Sequence, residues 1–387
     1  MPNRTFRRFV PPVIAATAIA ATALAATALA ATALAAGGAS AVRPSAVRPS
    51  PVQAVGSIGW RITDALPSGV QVSSVVATSR SSAWAVGCCS NRSAKNGIRL
   101  WHWNGARWLA VSVPPGLGRQ ARSTTIAASP DGSAWVFGVA GGTSDEQPFV
   151  LHWTGRGWAA TDSGTWDAGY TAAAIAPNAH DAWSFGWDDG GPPVNAHFNG
   201  TTWSAARLPM AVQQASALSA SNIWAVGAAS TAPETAAVMR WNGTSWNAVR
   251  LPVLQLPPGD VLGQLNQVSA VAPDSVWVAA ELRSGSIENL YSGVLLLHWN
   301  GSGWQQLALP RGLITGQFDG VSMSPDGSGG LWLTTVPWGG SKEVVLHYSD
   351  GQWRRAAAPP GLSSVAWIPG TASVWAAASG GIAKYGP

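Results

Sequence analysis

Three groups of residues in this sequence have types and spacings that could do chemistry. The first is a histidine slot. His102, His152, His197, His298 and His347 open five copies of one motif, written HWNGARW, HWTGRGW, HFNGTTW, HWNGSGW and HYSDGQW. A ring of imidazoles invites a metal ion. A sixth copy, RWNGTSW, puts Arg240 in the slot, and a truncated seventh, GIAKYGP, puts Lys384 there. A guanidinium is no metal ligand, whereas all three side-chain types donate hydrogen bonds. The slot therefore calls for a donor, aimed at a carbonyl or at the turn acids Asp131, Asp181, Asp274 and Asp326. Neither a metal nor a cofactor is expected.

The second group is aromatic and acidic. Trp166 stands beside Asp167, Trp187 beside Asp188 and Asp189, and Trp338 beside Gly339 and Gly340. A flat ring next to a carboxylate suits a sugar, which offers an apolar face and a rim of hydroxyls. The alternative is that these tryptophans tuck down against the body of the fold. Asp188 or Asp189 with Glu281 or Glu146 could also form the carboxylate pair of a glycoside hydrolase or lyase, but spacing alone fixes no separation between them. The sequence contains no nucleophile elbow, zinc signature or phosphate loop. No catalytic residue is assigned.

The third group is Cys88-Cys89, the only cysteines. In an oxidising compartment neighbours can close a vicinal disulfide. Adjacent Cα atoms lie about 3.8 Å apart, closer than disulfides prefer, so such a bridge is strained. A local loop staple is its expected role.

These residues hang on a repeat. A second cassette alternates with the histidine motif: SSAWAVG, GSAWVFG, HDAWSFG and SNIWAVG, then DSVWVAA, GGLWLTT and ASVWAAA. Its tryptophans, Trp84, Trp135, Trp183, Trp224, Trp277, Trp332 and Trp375, recur at 51, 48, 41, 53, 55 and 43 residues, the period of four-stranded propeller blades. Each unit reads as an inner strand A of small residues, a strand B carrying the WAVG-type tryptophan, an apolar strand C, and a strand D opening at a second tryptophan. Asn-Gly between C and D predicts a tight hairpin with positive φ at both central residues. The same turn accounts for the glycosylation-like triplets at Asn199, Asn242 and Asn300.

There are seven B cassettes but six complete C–D motifs, and the missing strand D appears at the other end as GWRITDALP from Gly59. The expectation is an all-β, seven-bladed β-propeller of four-stranded antiparallel blades, its ring closed by an N-terminal strand at about 59–66 that completes the last blade. Most of the 23 tryptophans then become blade-to-blade packing, and Trp367 in the last inner strand can line the channel.

Residues 1–41 read as a signal peptide: Arg4, Arg7 and Arg8, an apolar run from Phe9 to Ala36, and small-residue cleavage sites at Ala33-Leu34-Ala35 and Ala39-Ser40-Ala41. The run is long enough to stay behind as a membrane anchor, but alanine and threonine make it weakly apolar, so cleavage and secretion are expected. Residues 42–56 form a Pro/Ser/Arg linker, leaving 57–387 as the propeller. Five of the 23 basic residues precede residue 57 and no acid does, which accounts for the whole formal charge of +5. A neutral folded part is a poor partner for nucleic acid.

The pattern resembles secreted bacterial propellers built from WAVG and HWNG units, and more distantly kelch and Asp-box propellers, over about residues 57–387. That resemblance implies architecture and carries no catalytic residue, because propeller blades host many functions. Up-and-down blades put the A–B and C–D turns on one face, short and uniform here, and the B–C and D–A connections on the other. All large variation falls in the second set, including 88–97, 187–193, 228–236, 281–293 and 252–264. Loops on a rigid scaffold carry binding. The expected function is a secreted, monomeric, non-catalytic recognition module that binds a glycan, cell-wall polymer or protein through Trp166, Trp187, Trp338, Asp167, Asp188, Asp189 and Glu281. The alternative is an extracellular carbohydrate-active enzyme using carboxylates of the same face.

Overall fold

The computed structural model describes residues 59–66, 70–89, 97–115, 122–140, 147–161, 170–187, 193–230, 232–284, 293–307, 309–310, 312–314, 318–337 and 343–386. They form seven four-stranded antiparallel sheets, six of them with their strands side by side in chain order. In order A to D, blade 1 is Val70–Ser79, Ser82–Cys89, Arg99–Trp103 and Trp108–Val111. Blade 2 is Arg122–Ala128, Ala134–Ala140, Gln147–Trp153 and Trp158–Thr161. Blade 3 is Tyr170–Asn178, Asp181–Trp187, Pro193–Phe198 and Trp203–Ala206. Blade 4 is Met210–Ser219, Asn222–Ala229, Ala232–Trp241 and Trp246–Ala248. Blade 5 is Asp260–Ala272, Ser275–Ser284, Gly293–Trp299 and Trp304–Leu307. Blade 6 is Phe318–Pro325, Leu331–Pro337, Val345–Ser349 and Gln352–Arg355.

Blade 7 takes Ser364–Trp367, Val374–Ala378 and Gly381–Tyr385 from the C-terminal end and Trp60–Ala65 as its strand D. The register runs from Trp60 opposite Tyr385 to Ala65 opposite Gly381. Inner strands touch in sequence around the ring, and that of blade 7 touches that of blade 1. The expected propeller and its closure by the N-terminal strand are both present.

The WAVG glycine has a backbone cause. In blades 1, 3, 4 and 5 strand A bulges opposite this part of strand B, between Val72 and Ser74, Thr171 and Ala173, Val212 and Gln214, and Leu265 and Gln267. The bulge drives strand A inward. A Cβ at Gly87 would stand 2.2 Å from the Gln71 carbonyl oxygen, and one at Gly227 1.9 Å from that of Ala211. At these two positions only glycine fits, whereas blade 5 carries Ala280 beside its bulge.

The C–D turns correct the hairpin expectation. In blade 1 Trp103 pairs with Trp108, leaving a four-residue loop in which Asn104 Oδ1 accepts the N–H groups of Ala106 and Arg107 at 3.0 Å. The asparagine holds the turn with its side chain, so only Gly105 needs positive φ, at 92°. Asn199, Asn242 and Asn300 repeat this, and the Thr201, Thr244 and Ser302 hydroxyls donate to the same oxygens. Blade 6 alone makes the expected two-residue turn among the described C–D hairpins, with Asp350 at 52° and Gly351 at 74° between paired Ser349 and Gln352.

Candidate functional site

The repeated aromatics form one device copied around the ring. Each strand-B tryptophan takes the slot residue of its own blade on one side and aromatics of the next blade on the other. His102 stacks on Trp84 at 4.1 Å and 23°, His152 on Trp135 at 3.9 Å and 17°, and His197 on Trp183 at 4.0 Å and 23°. His298 lies 4.2 Å from Trp277 and His347 4.2 Å from Trp332, the latter pair 3° from parallel. Arg240 covers Trp224 at 5.3 Å and Lys384 covers Trp375 at 6.0 Å. What the slot selects is a flat or cationic group that rests on an indole face.

Across the interface, Trp84 meets Trp158 edge-to-face at 5.2 Å, Trp135 meets Trp203 at 5.6 Å and Trp183 meets Trp246 at 5.5 Å. The chain closes through Trp332 on Trp60 at 5.5 Å and Trp375 on Trp108 at 5.1 Å. An indole edge presented to a π face is the favoured arrangement of such rings. The histidines are thus parts of the ring's fastening.

The donor expectation is met in part, since two histidines reach turn acids while His152 Nε2 is buried with no hydrogen-bond partner. His197 Nε2 lies 3.1 Å from Asp181 Oδ1 and His347 Nε2 2.8 Å from Asp326 Oδ2. His102 instead meets Ser82 Oγ at 3.3 Å, His298 meets Ser275 Oγ at 3.1 Å, and Arg240 donates to Asn222 Oδ1 at 3.0 Å. Ser82, Asp181, Asn222 and Ser275 all stand two residues before the strand-B tryptophan. Blade 6 has Gly330 there, and a Cβ on it would lie 2.4 Å from Asp326 Oδ2, so the turn acid reaches in where the strand offers nothing. Asp131 is used elsewhere, accepting from Ser129 and from the Ser133 and Ala179 N–H groups, the last in blade 3. Burial lowers the pKa of His102, His152 and His298, with the charges of Asp131 and Asp274 opposing this for the latter two. Among the described residues no three His, Cys, Asp or Glu side chains converge as a metal group would require.

On the opposite face, the sequence-derived binding residues divide. Trp166, Asp167, Asp188, Asp189 and Trp338 lie outside the described residues. Trp187 is the last residue of strand B in blade 3, half-buried, with Tyr170 and Pro193 as its strand neighbours. Glu281 requires correction. Strand B of blade 5 continues to Ser284, so Glu281 belongs to the sheet and not to a loop, and it is 1% exposed. A Cβ added at Gly320 in blade 6 would lie 3.8 Å from Glu281 Oε1, which places this carboxylate between blades. The variable segment 228–236 also shrinks, since strand C of blade 4 starts at Ala232. Cys88 and Cys89 end strand B of blade 1, opposite Gln71 and Val70. Trp367 Nε1 donates to the Thr371 carbonyl at 2.7 Å, with the ring against Gly327 of the neighbouring turn.

One concavity escaped the sequence reading. A cleft of about 470 Å³ opens between blades 4 and 5, lined by Arg250, Leu251, Val253, Trp299, Ser302 and Trp304 among others. Its wall is the long D–A connection, strapped to blade 5 by paired bonds between Gln255 and Gln306 at 2.9 and 2.7 Å. Val253 on this strap is 87% exposed. The signal was present in the length of 252–264 and its mix of leucine and proline, but only the fold shows that it crosses a blade junction.

No protein-family model and no curated protein sequence matches the chain. Solved structures do. YCF48 bound to D1 peptide is 14% identical with a TM-score of 0.54, over 85% of this chain and 99% of that one. YCF48 from Cyanidioschyzon merolae is 15% identical with a TM-score of 0.51, over 85% and 99%. The GH74 xyloglucanase from Xanthomonas campestris is 15% identical with a TM-score of 0.54, and the 84% of this chain that aligns spans only 53% of the enzyme. At these identities the likeness establishes the propeller fold.

Proposed function

We propose that this chain is an extracellular recognition propeller that binds a glycan or cell-wall polymer through its B–C and D–A face, without catalysis. The carrying observation is the contrast between the faces. Every A–B and C–D turn is short and its polar groups are largely engaged within and between blades, while the connections of the other face differ in length from blade to blade. The histidines and most tryptophans are absorbed by the staple, so ligand chemistry falls to Trp187, half-buried at the end of its strand, and to Trp166, Trp338, Asp167, Asp188 and Asp189. Burial of Glu281 removes one carboxylate from the enzyme alternative, which needs an accessible pair on that face. A protein ligand is the second reading, favoured by the likeness to a propeller solved with a peptide bound.

The test is pull-down of the exported protein on insoluble polysaccharides and cell walls, with a soluble glycan array. Its comparison is a Trp166, Trp187 and Trp338 triple alanine variant whose circular dichroism is unchanged. Saturable binding lost in the variant supports the reading. Polysaccharide cleavage abolished by a single Asp or Glu change would replace it with the enzyme.

A further inference from the structure

The uniform face carries its own asymmetry. Successive A–B turns touch, as shown by the Ala179 N–H on Asp131 between blades 2 and 3 and by Arg80 donating to the Gly370 carbonyl between blades 1 and 7. The turns therefore form one surface, and its charges are unevenly distributed. Arg80 and Arg107 occupy the two turns of blade 1, Arg156 the C–D turn of blade 2, and Arg61 the same end of strand D in blade 7, where it donates to the Gly386 carbonyl. All four are exposed, and none has an acid partner among the described residues. Blades 3 and 4 offer the neutral turns Ala179-His180, Asn199–Thr202, Ala220-Ser221 and Asn242–Ser245. Blades 5 and 6 expose Asp274 and Asp350, with Asp326 buried against His347, and Arg354 of blade 6 holds the strand place that Arg61 has in blade 7.

Carbonyl acceptors fix Arg61 and Arg80 in place without cancelling their charge. The acid inside the basic sector is Asp131, already engaged by two serines and the Ala179 N–H. Asp64 pairs with Ile382, toward the other end of its strand. The uneven distribution matters because the folded part is neutral overall: the molecule has no net attraction for a polyanion, only an oriented one.

The chain also enters the fold here. Trp60 pairs with Tyr385 at the turn end of blade 7, so the described chain begins at this end, and the sequence before it carries Arg43 and Arg48. We propose that the blade 7–1–2 sector of the uniform face docks on an anionic lipid bilayer, so that the variable face is turned away from the membrane. Charge complementarity and the point where the described chain begins, with two further arginines upstream in the sequence, argue for this occupant, and docking of this kind does not depend on whether the apolar segment is removed. Clustered basic residues near a lipid surface bind through its negative potential, which decays within a Debye length.

The experiment uses the chain as the cell exports it, with vesicles of phosphatidylcholine alone or mixed with phosphatidylglycerol. Co-sedimentation should show binding to the mixed vesicles well above that to phosphatidylcholine, and hydrogen exchange should slow at 80–81, 104–107 and 154–157. Each change among Arg80→Gln, Arg107→Gln and Arg156→Gln should weaken binding about fivefold, with an unchanged Tm confirming the fold. Equal binding to both vesicles, slowed exchange on the variable face, or an unaffected triple variant would each overturn the proposal. So would binding to an anionic wall polymer without binding to vesicles. Failure of glycan binding would leave this result untouched, since the two readings use opposite faces.

Discussion

Ser269 in blade 5 stands where its neighbour across the blade interface is Pro325, a residue with no N–H to give. The comparison is internal. Ser216, opposite Trp224, accepts the Ala270 N–H of the next inner strand at 3.0 Å, and Ser324, opposite Trp332, accepts the Trp367 N–H at 2.7 Å. Ser269 holds the same place opposite Trp277, but the matching residue of blade 6, opposite Leu331, is Pro325, and the Ser269 hydroxyl is buried without a partner. These serines tie inner strands together along the channel, where neighbouring strands have no ladder between them.

Ser216→Ala and Ser324→Ala should therefore each cost about 1–2 kcal/mol, by leaving a buried N–H unmet. Ser269→Ala should be neutral or stabilising, since it deletes an orphan. Urea denaturation of the three variants checks this. Equal losses at all three positions would refute the register argument.

Gly227→Ala should destabilise by about 3 kcal/mol or more, because its Cβ would fall 1.9 Å from a backbone oxygen that the strand-A bulge holds in place. Gly303→Ala, with nothing within 4 Å, is the control and should stay within about 0.5 kcal/mol of the parent. Thermal midpoints of the pair report the difference.

Trp60→Ala opens the closure. The indole packs on Trp332 and on Tyr385 at 5.5 Å each, so its loss should cost about 3 kcal/mol and expose blade 7 to limited proteolysis before any other blade. If Trp158→Ala, an equivalent staple away from the closure, produced the same first cleavages in blade 7, the strand would not be the latch.

Stability should fall with acid in two steps. Burial lowers the pKa of His102, His152 and His298 in the folded chain, so their unfolded forms protonate first, and stability present above about 6.5 declines below it. For Asp326, burial pushes the carboxyl up, but bonds from His347, Ser328 and Gly330 outweigh it and bring the pKa from 3.8 to about 2. That contribution is complete above 3.8 and is lost as pH falls through about 2. Unfolding free energy measured against pH should lose its upper step when the three histidines become glutamine. Asp326→Asn should remove the lower step, with about 2 kcal/mol lost at neutral pH. An unchanged profile in either variant would count against the assignment.

The architecture was legible because its determinants are local and written seven times. A tryptophan every 41 to 55 residues, a turn asparagine with its glycine, and a count one strand short are all linear features. They determined the blade number, the strand order and the return of residues 59–66 to the C-terminal blade. The tertiary structure decided what each repeated residue is for. The histidine slot is filled by His, Arg or Lys because its partner is an indole face on the adjacent strand, and a stacking partner leaves no mark in spacing. Glu281 lies beyond a conserved-length cassette and looks like a loop, yet the longer strand of blade 5 carries it between blades. The placement of Arg61, Arg80, Arg107 and Arg156 in one sector joins residues 61 and 156 through a ring closure that only pairing across 325 positions creates. Local sequence dictates strands and turns, but contacts between blades depend on where the ring brings distant residues together.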